Sequence, residues 1–184
     1  MNNIQWFKEA KYGMMAHWGL YSLLAGEYRG QRVRTYAEWI QSYAAIPNAE
    51  YEQLAKCFNP IYFNADEWIK LAKDSGMKYF VFTSKHHDGF AMFHSKADRF
   101  NVVDATPFGR DVVGELAEAC YKHGLKFGLY YSQELDWHHE HGGTDIPKPP
   151  RVSSTRKYVC PCCGMSVRAT RTVRIACRFC FGSS

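Results

Sequence analysis

The chain has 184 residues, 46% of them hydrophobic and 22% charged, with a net charge of +5. That fits one soluble globular domain with a small appendage and excludes a disordered or collagen-like chain. No apolar run is long enough to span a membrane.

The charge is uneven. Residues 151–184 carry seven basic side chains and no acidic one, which leaves residues 1–150 at −2. Such a shift marks two units of different character. Aromatic residues make up 16% of the chain, a share that suits a cleft for a sugar or another small molecule as well as plain packing. The first residues lack the basic start and apolar stretch of a signal peptide, so a reducing, cytoplasmic setting is expected. Cys57 and Cys120, isolated in helical patterns, are expected to be buried and reduced.

In chain order, residues 3–10 read as a short amphipathic helix anchored by Trp6 and Phe7. Residues 12–19 read as a strand that ends at His17 and Trp18. The Gly- and Arg-rich stretch 25–34 shows no periodicity. Thr35 is expected to cap a helix over 36–41, where Glu38 is either a first-turn acid favoured by the helix dipole or a ligand contact beside Trp39. Asn48 opens a helix that Asn59-Pro60 closes. Asn64 or Ala65 opens the next, and Gly76 stops it. The strand 77–83 follows and runs into Lys85-His86-His87-Asp88-Gly89-Phe90. Asp111 caps a helix over 112–123, Gly124 stops it, and the strand 125–132 ends in Tyr130, Tyr131 and Ser132.

Strand and helix therefore alternate, and the strands end in polar rings. That is the pattern of a parallel sheet with crossover helices. Long loops follow the strands and short ones precede them, as in a (β/α) barrel whose site sits at the strand C-termini. His138, His139 and His141 lie near Glu140, but they lack the spacing that puts two rings on one helical face. Gly142-Gly143 and Pro147, Pro149 and Pro150 mark a linker. The expected units are residues 1–143, a linker over 144–155, and a basic tail over 156–184.

Residues 6–141 resemble the N-terminal part of the alpha-L-fucosidases of glycoside hydrolase family 29. The segments that carry the resemblance are 6–13, Ala16-His17-Trp18-Gly19, Ala37-Glu38-Trp39, Thr83 to Phe90, Gly128 to Ser132, and Asp136-Trp137. They stand in the family's order and spacing. The resemblance implies an α/β fold, the first three or so βα units of a (β/α)8 barrel. It also implies retaining hydrolysis of terminal alpha-linked L-fucose. By resemblance, His17, Glu38, His86 and His87 hold the fucose hydroxyls and Trp39 packs on the sugar. One of Tyr130 and Tyr131 lines the pocket, and both remain candidates.

The chemistry agrees. A neutral imidazole donates at one nitrogen and accepts at the other, as a hydroxyl does in both senses. A carboxylate accepts strongly from neighbouring hydroxyls. Retaining glycosidases need two carboxyl groups. In this family both come from later strands, so no catalytic residue is expected in residues 1–184. The expectation is thus a truncated or fused fucosidase-type hydrolase, without a cofactor in that part, that takes a fucosylated glycan or small fucoside. Open sheet edges would favour self-association. The alternative is a non-catalytic sugar-site remnant carrying a zinc ribbon that binds nucleic acid or a protein.

In the tail, Cys160 and Cys163, then Cys177 and Cys180, form two C-x2-C knuckles separated by 13 residues. This spacing suits a tetrahedral structural zinc, with a chance cluster or a disulfide as the alternative. Residues 165–170 and 172–176 alternate like a hairpin. Residues 156–180 resemble the zinc ribbon of SprT-like metallopeptidases. The tail's positive charge would suit nucleic acid, but scattered arginines that solvate a tiny domain are the favoured reading.

Overall fold

A computed structural model describes residues 4–143 and the backbone of residues 157–159 and 166–168. The elements in order are α1 (Gln5–Ala10), β1 (Met14–Ala16), β2 (Glu27–Tyr28), β3 (Gln31–Arg32), α2 (Ile40–Tyr43) and α3 (Asn48–Tyr51). Then come α4 (Ala65–Asp74), β4 (Tyr79–Lys85), α5 (Val112–His123), β5 (Lys126–Tyr131), β6 (Lys157–Val159) and β7 (Ser166–Arg168). Strands β1, β4 and β5 form a parallel sheet in that order, with β4 in the centre.

The strand period sorts the side chains. Met14, Phe80 and Phe127 share one row, and Ala16, Phe82 and Leu129 share the next row on that face. Phe80 and Phe82 are fully buried in a core with Ile69 and Ala72 of α4 and Leu116 and Ala119 of α5. Each such ring contributes about 2–3 kcal/mol by leaving water. The opposite face, through Met15, Val81 and Thr83, leads to the strand tips. α1 lies at its base, where Trp6 and Phe7 pack on Tyr79 at 6.1 and 5.3 Å between ring centroids.

Helix ends follow the expected chemistry at α4 and α5. Asn64 accepts from the backbone amides of Asp66 and Glu67, and Asp111 accepts from that of Gly114. Gly124 closes α5 in the left-handed region.

Elsewhere tertiary contacts override the local pattern. β1 covers only Met14–Ala16, and β4 starts at Tyr79 but extends to Lys85, because Lys85 still pairs with Tyr131 of β5. Thr35 caps nothing. Tyr36 leads into a 3-10 turn, Ala37–Trp39, before α2 begins. The helix expected from Asn48 is α3 followed by a 3-10 helix, Glu52–Cys57, and the Asn48 side chain reaches away to the Trp137 carbonyl instead. Residues 27–32 form a hairpin, since Arg29 and Gly30 both adopt positive φ, the turn that two-residue hairpins favour. Cys120 is buried as expected, but Cys57 is exposed, on the outward side of its 3-10 helix.

In the tail β6 pairs antiparallel with β7. The expected partner of β7, residues 172–176, lies outside the described residues, as do Cys160, Cys163, Cys177 and Cys180.

Candidate functional site

The site grows from the tip of β4. The backbone from Thr83 to Phe90 is buried throughout, and Gly89 turns it at φ +81°. A Cβ there would lie 2.6 Å from the Cβ of His138 and 2.8 Å from Oδ1 of Asp136, so only glycine fits. Asp88 accepts from the Tyr51 hydroxyl at 2.9 Å and the Phe90 amide at 3.2 Å. Burial raises its carboxyl to about 6, with the Tyr51 bond working the other way. Lys85 donates to Asp136 at 2.8 Å. Asp88 and Lys85 thus hold the turn.

His86 and His87 project from this turn. His86 lies 5.4 Å from His17 at the tip of β1 and 5.4 Å from Tyr130, centroid to centroid. Tyr21, whose hydroxyl lies 3.4 Å from Oγ1 of Thr83, supports it from the side. Glu38, on the 3-10 turn before α2, completes a group with His17 and His86 whose polar atoms lie within 4.8 Å of one another. His87 meets Trp39 at 4.9 Å and Trp137 at 5.4 Å. Trp137 is fixed by its amide to the His87 carbonyl at 2.7 Å and by Asn48, which Gln41 orients in turn.

Both buried imidazoles stay neutral near pH 7. Burial lowers His86 to about 3, with His87, His17 and Lys85 adding to the effect. Burial, then Lys85 and His17, lowers His87 to about 4. Among the described residues, Nδ1 of His86 and Nε1 of Trp137 are buried without a hydrogen-bond partner. Buried polar atoms left so are costly, and they concentrate at places with a further task.

The polar atoms of His17, Glu38 and His86 lie within 4.8 Å of one another. Two groups that share one hydroxyl, each at about 2.8 Å, stand about 4.5 Å apart, so the three can hold a hydroxyl between them. Imidazole and carboxylate are also the side-chain types that ligate a metal.

The alpha-L-fucosidase family profile matches residues 1–162. The chain belongs to the alpha-L-fucosidase family. Among alpha-L-fucosidases of known structure, that of Lactobacillus casei, unliganded, is 69% identical with a TM-score of 0.75, over 77% of this chain and 43% of its own. That of Bacteroides thetaiotaomicron is 36% identical with a TM-score of 0.75, over 80% of this chain and 33% of its own. The mouse tissue alpha-L-fucosidase is 36% identical, over 73% of this chain and 31% of its own. The chain thus spans about three tenths of the length of such curated fucosidases. A variant of the L. casei enzyme has been seen with 4-nitrophenyl-α-L-fucopyranoside.

Six of the expected fucosidase site residues gather at the strand tips: His17, Glu38, Trp39, His86, His87 and Tyr130. Tyr131 does not join them. The strand alternation turns it away, and its ring lies 5.0 Å from Nζ of Lys85. The other histidines are occupied elsewhere: His138 stacks on Phe100 and contacts Glu52 at 3.0 Å, and His139 faces His141. Three contributors escaped the sequence reading: Tyr21, Trp137 as a wall, and Ser132 as a partner of His87. Only Trp137 carried a signal, as an aromatic residue among polar ones after a strand end.

Proposed function

We propose that this chain holds a terminal α-L-fucosyl group at the tips of β1, β4 and β5, as the fucose-binding portion of a retaining alpha-L-fucosidase. The observation that carries this is the convergence of one carboxylate and two imidazoles, their polar atoms within 4.8 Å of one another, beside the indoles Trp39 and Trp137. The polar group suits hydroxyls and the indoles suit the apolar methyl and ring face. A site that pairs every hydroxyl rejects sugars of the wrong configuration, because its polar groups are then left unpaired. The parallel sheet with tip-borne residues is read as the first strands of a (β/α)8 barrel.

Hydrolysis needs a second carboxyl about 5–5.5 Å from the first. Asp88 is committed to Tyr51 and Asp136 to Lys85, and Glu38 is the single carboxylate of its group among the described residues. The expected outcome is therefore sugar binding with no turnover by residues 1–184. Titration with L-fucose, alongside an assay of 4-nitrophenyl-α-L-fucopyranoside, tests this. Turnover would overturn the account of the carboxyls. A folded chain that ignores fucose would overturn the sugar reading.

Among the described residues β1 and β5 pair with no further strand, and these edges are the proposed route of self-association, while the exposed thiol of Cys57 suits the proposed reducing, cytoplasmic setting. For the tail, a zinc held by Cys160, Cys163, Cys177 and Cys180 is proposed. The antiparallel pairing of β6 and β7 on either side of the first knuckle supports it. Zinc content should fall to background in Cys160→Ser. A tail without zinc would overturn this proposal, and a zinc-bearing tail that binds nucleic acid would favour the non-catalytic alternative.

A further inference from the structure

His87 touches the residue that follows β5 through one short bond. Its Nδ1 lies 2.6 Å from Oγ of Ser132. The same Oγ lies 2.6 Å from the carbonyl oxygen of Leu135. A carbonyl only accepts, and a serine hydroxyl has one proton. If that proton pointed at His87, two oxygens would face each other at 2.6 Å with no hydrogen between them. The proton therefore lies on the Leu135 side, and Oγ can only accept from His87. Ser132 is 4% exposed, so water does not offer the hydroxyl a substitute. His87 itself is anchored at its carbonyl by the Trp137 amide at 2.7 Å, and Trp39 and Trp137 confine its ring.

We propose that Ser132 is a positioning residue that locks His87 as the Nδ1–H tautomer, so that bare Nε2 acts as an acceptor toward the sugar and selects a hydroxyl able to donate there. Among the described residues Nε2 makes no hydrogen bond, and it is not sealed from solvent. Neutrality of the ring near pH 7 is consistent with its burial. The selection rests on the fucose reading above, whereas the tautomer lock does not.

A fluorine in place of a hydroxyl keeps acceptor character but cannot donate. At the one sugar position that faces His87, this change should cost about tenfold in affinity, the size of one lost hydrogen bond to a buried partner. Without Ser132 the imidazole is free to move its proton to Nε2, and the penalty should shrink to about twofold.

The test uses the full chain labelled with 15N. Long-range proton–nitrogen correlation at neutral pH should give His87 a protonated-type Nδ1 and a bare-type Nε2. Ser132→Ala should shift that balance, and Ser132→Thr, which keeps the hydroxyl, should restore it. Titration with L-fucose and its monofluorinated analogues then reads the selection. An Nε2–H tautomer in the parent chain would overturn the lock, and so would a balance unmoved in Ser132→Ala. The parent spectrum decides even if that variant does not fold. The lock present with no affinity for fucose would uphold the positioning role and reject the sugar reading. The lock present with fucose bound, but no position sensitive to fluorine, would reject the selection alone.

Discussion

The tips of β1 and β4 both end in histidine, yet they are different kinds of place. His86 and His87 are 5% and 7% exposed, held by a turn that Asp88, Lys85 and Gly89 fix. His17 is exposed at the end of an edge strand, and Glu38, its neighbour, sits on a short 3-10 turn. The difference comes from the sheet order. Among the described residues β4 has a parallel neighbour on each side, whereas β1 has one. The site is therefore preorganised on the β4 side and adjustable on the β1 side, which suits the sugar pocket proposed above.

The contrast can be broken most severely at Gly89. Gly89→Ala forces a Cβ into His138 and Asp136 at a positive φ, and should cost about 3 kcal/mol. Urea unfolding followed by tryptophan fluorescence reads it. A cost below about 1 kcal/mol would mean that the turn yields and the β4 side is not rigid. Next, His87→Ala should cost about 2 kcal/mol, since it empties a buried space and leaves Ser132 without its donor. Tyr51→Phe should cost about 1–2 kcal/mol at pH 7, because Asp88 loses a donor, and its carboxyl should titrate higher still.

Acid should act on the β4 tip with a definite sign. His86 and His87 are held near 3 and 4, below the ordinary 6.5. Their contribution is complete above pH 6.5 and is lost as pH falls toward 4 and then 3. Asp88 works in the opposite sense: raised from 3.8 to about 6, it contributes most below 3.8 and loses that as pH rises through 6. Two groups outweigh one, so the urea midpoint should fall between pH 6.5 and 4.5, and His87→Asn should flatten the fall. A midpoint that rises over this window would show that Asp88 dominates. The smallest effect is expected at β1: His17→Ala should change stability by less than about 0.5 kcal/mol while weakening fucose binding. A larger loss of stability would erase the contrast between the two tips.

Much of the site was legible because its residues follow strands. The run Phe80 to Phe90 shows a buried strand that stops at polar rings, and Asn64, Asp111 and Gly124 mark helix ends by chemistry that acts within one turn. Asn48 misleads for a related reason. Its amide can cap a helix, but here it bonds to a carbonyl 89 positions away. The choice between Tyr130 and Tyr131 needed the strand register, since neighbouring residues point to opposite faces and composition does not say which face holds the site.

The sequence alone determined α4, α5 and the order of the three parallel strands along the chain, and which residue types stand at the strand ends, because caps, periodicity and glycine turns act over a few positions. Only the tertiary structure decided that His17, Glu38 and His86 meet, that Tyr130 and not Tyr131 stands beside them, and that Ser132 faces His87. Those contacts join residues far apart in the chain. They depend on register and strand order, which arise from how whole elements bury their apolar faces together.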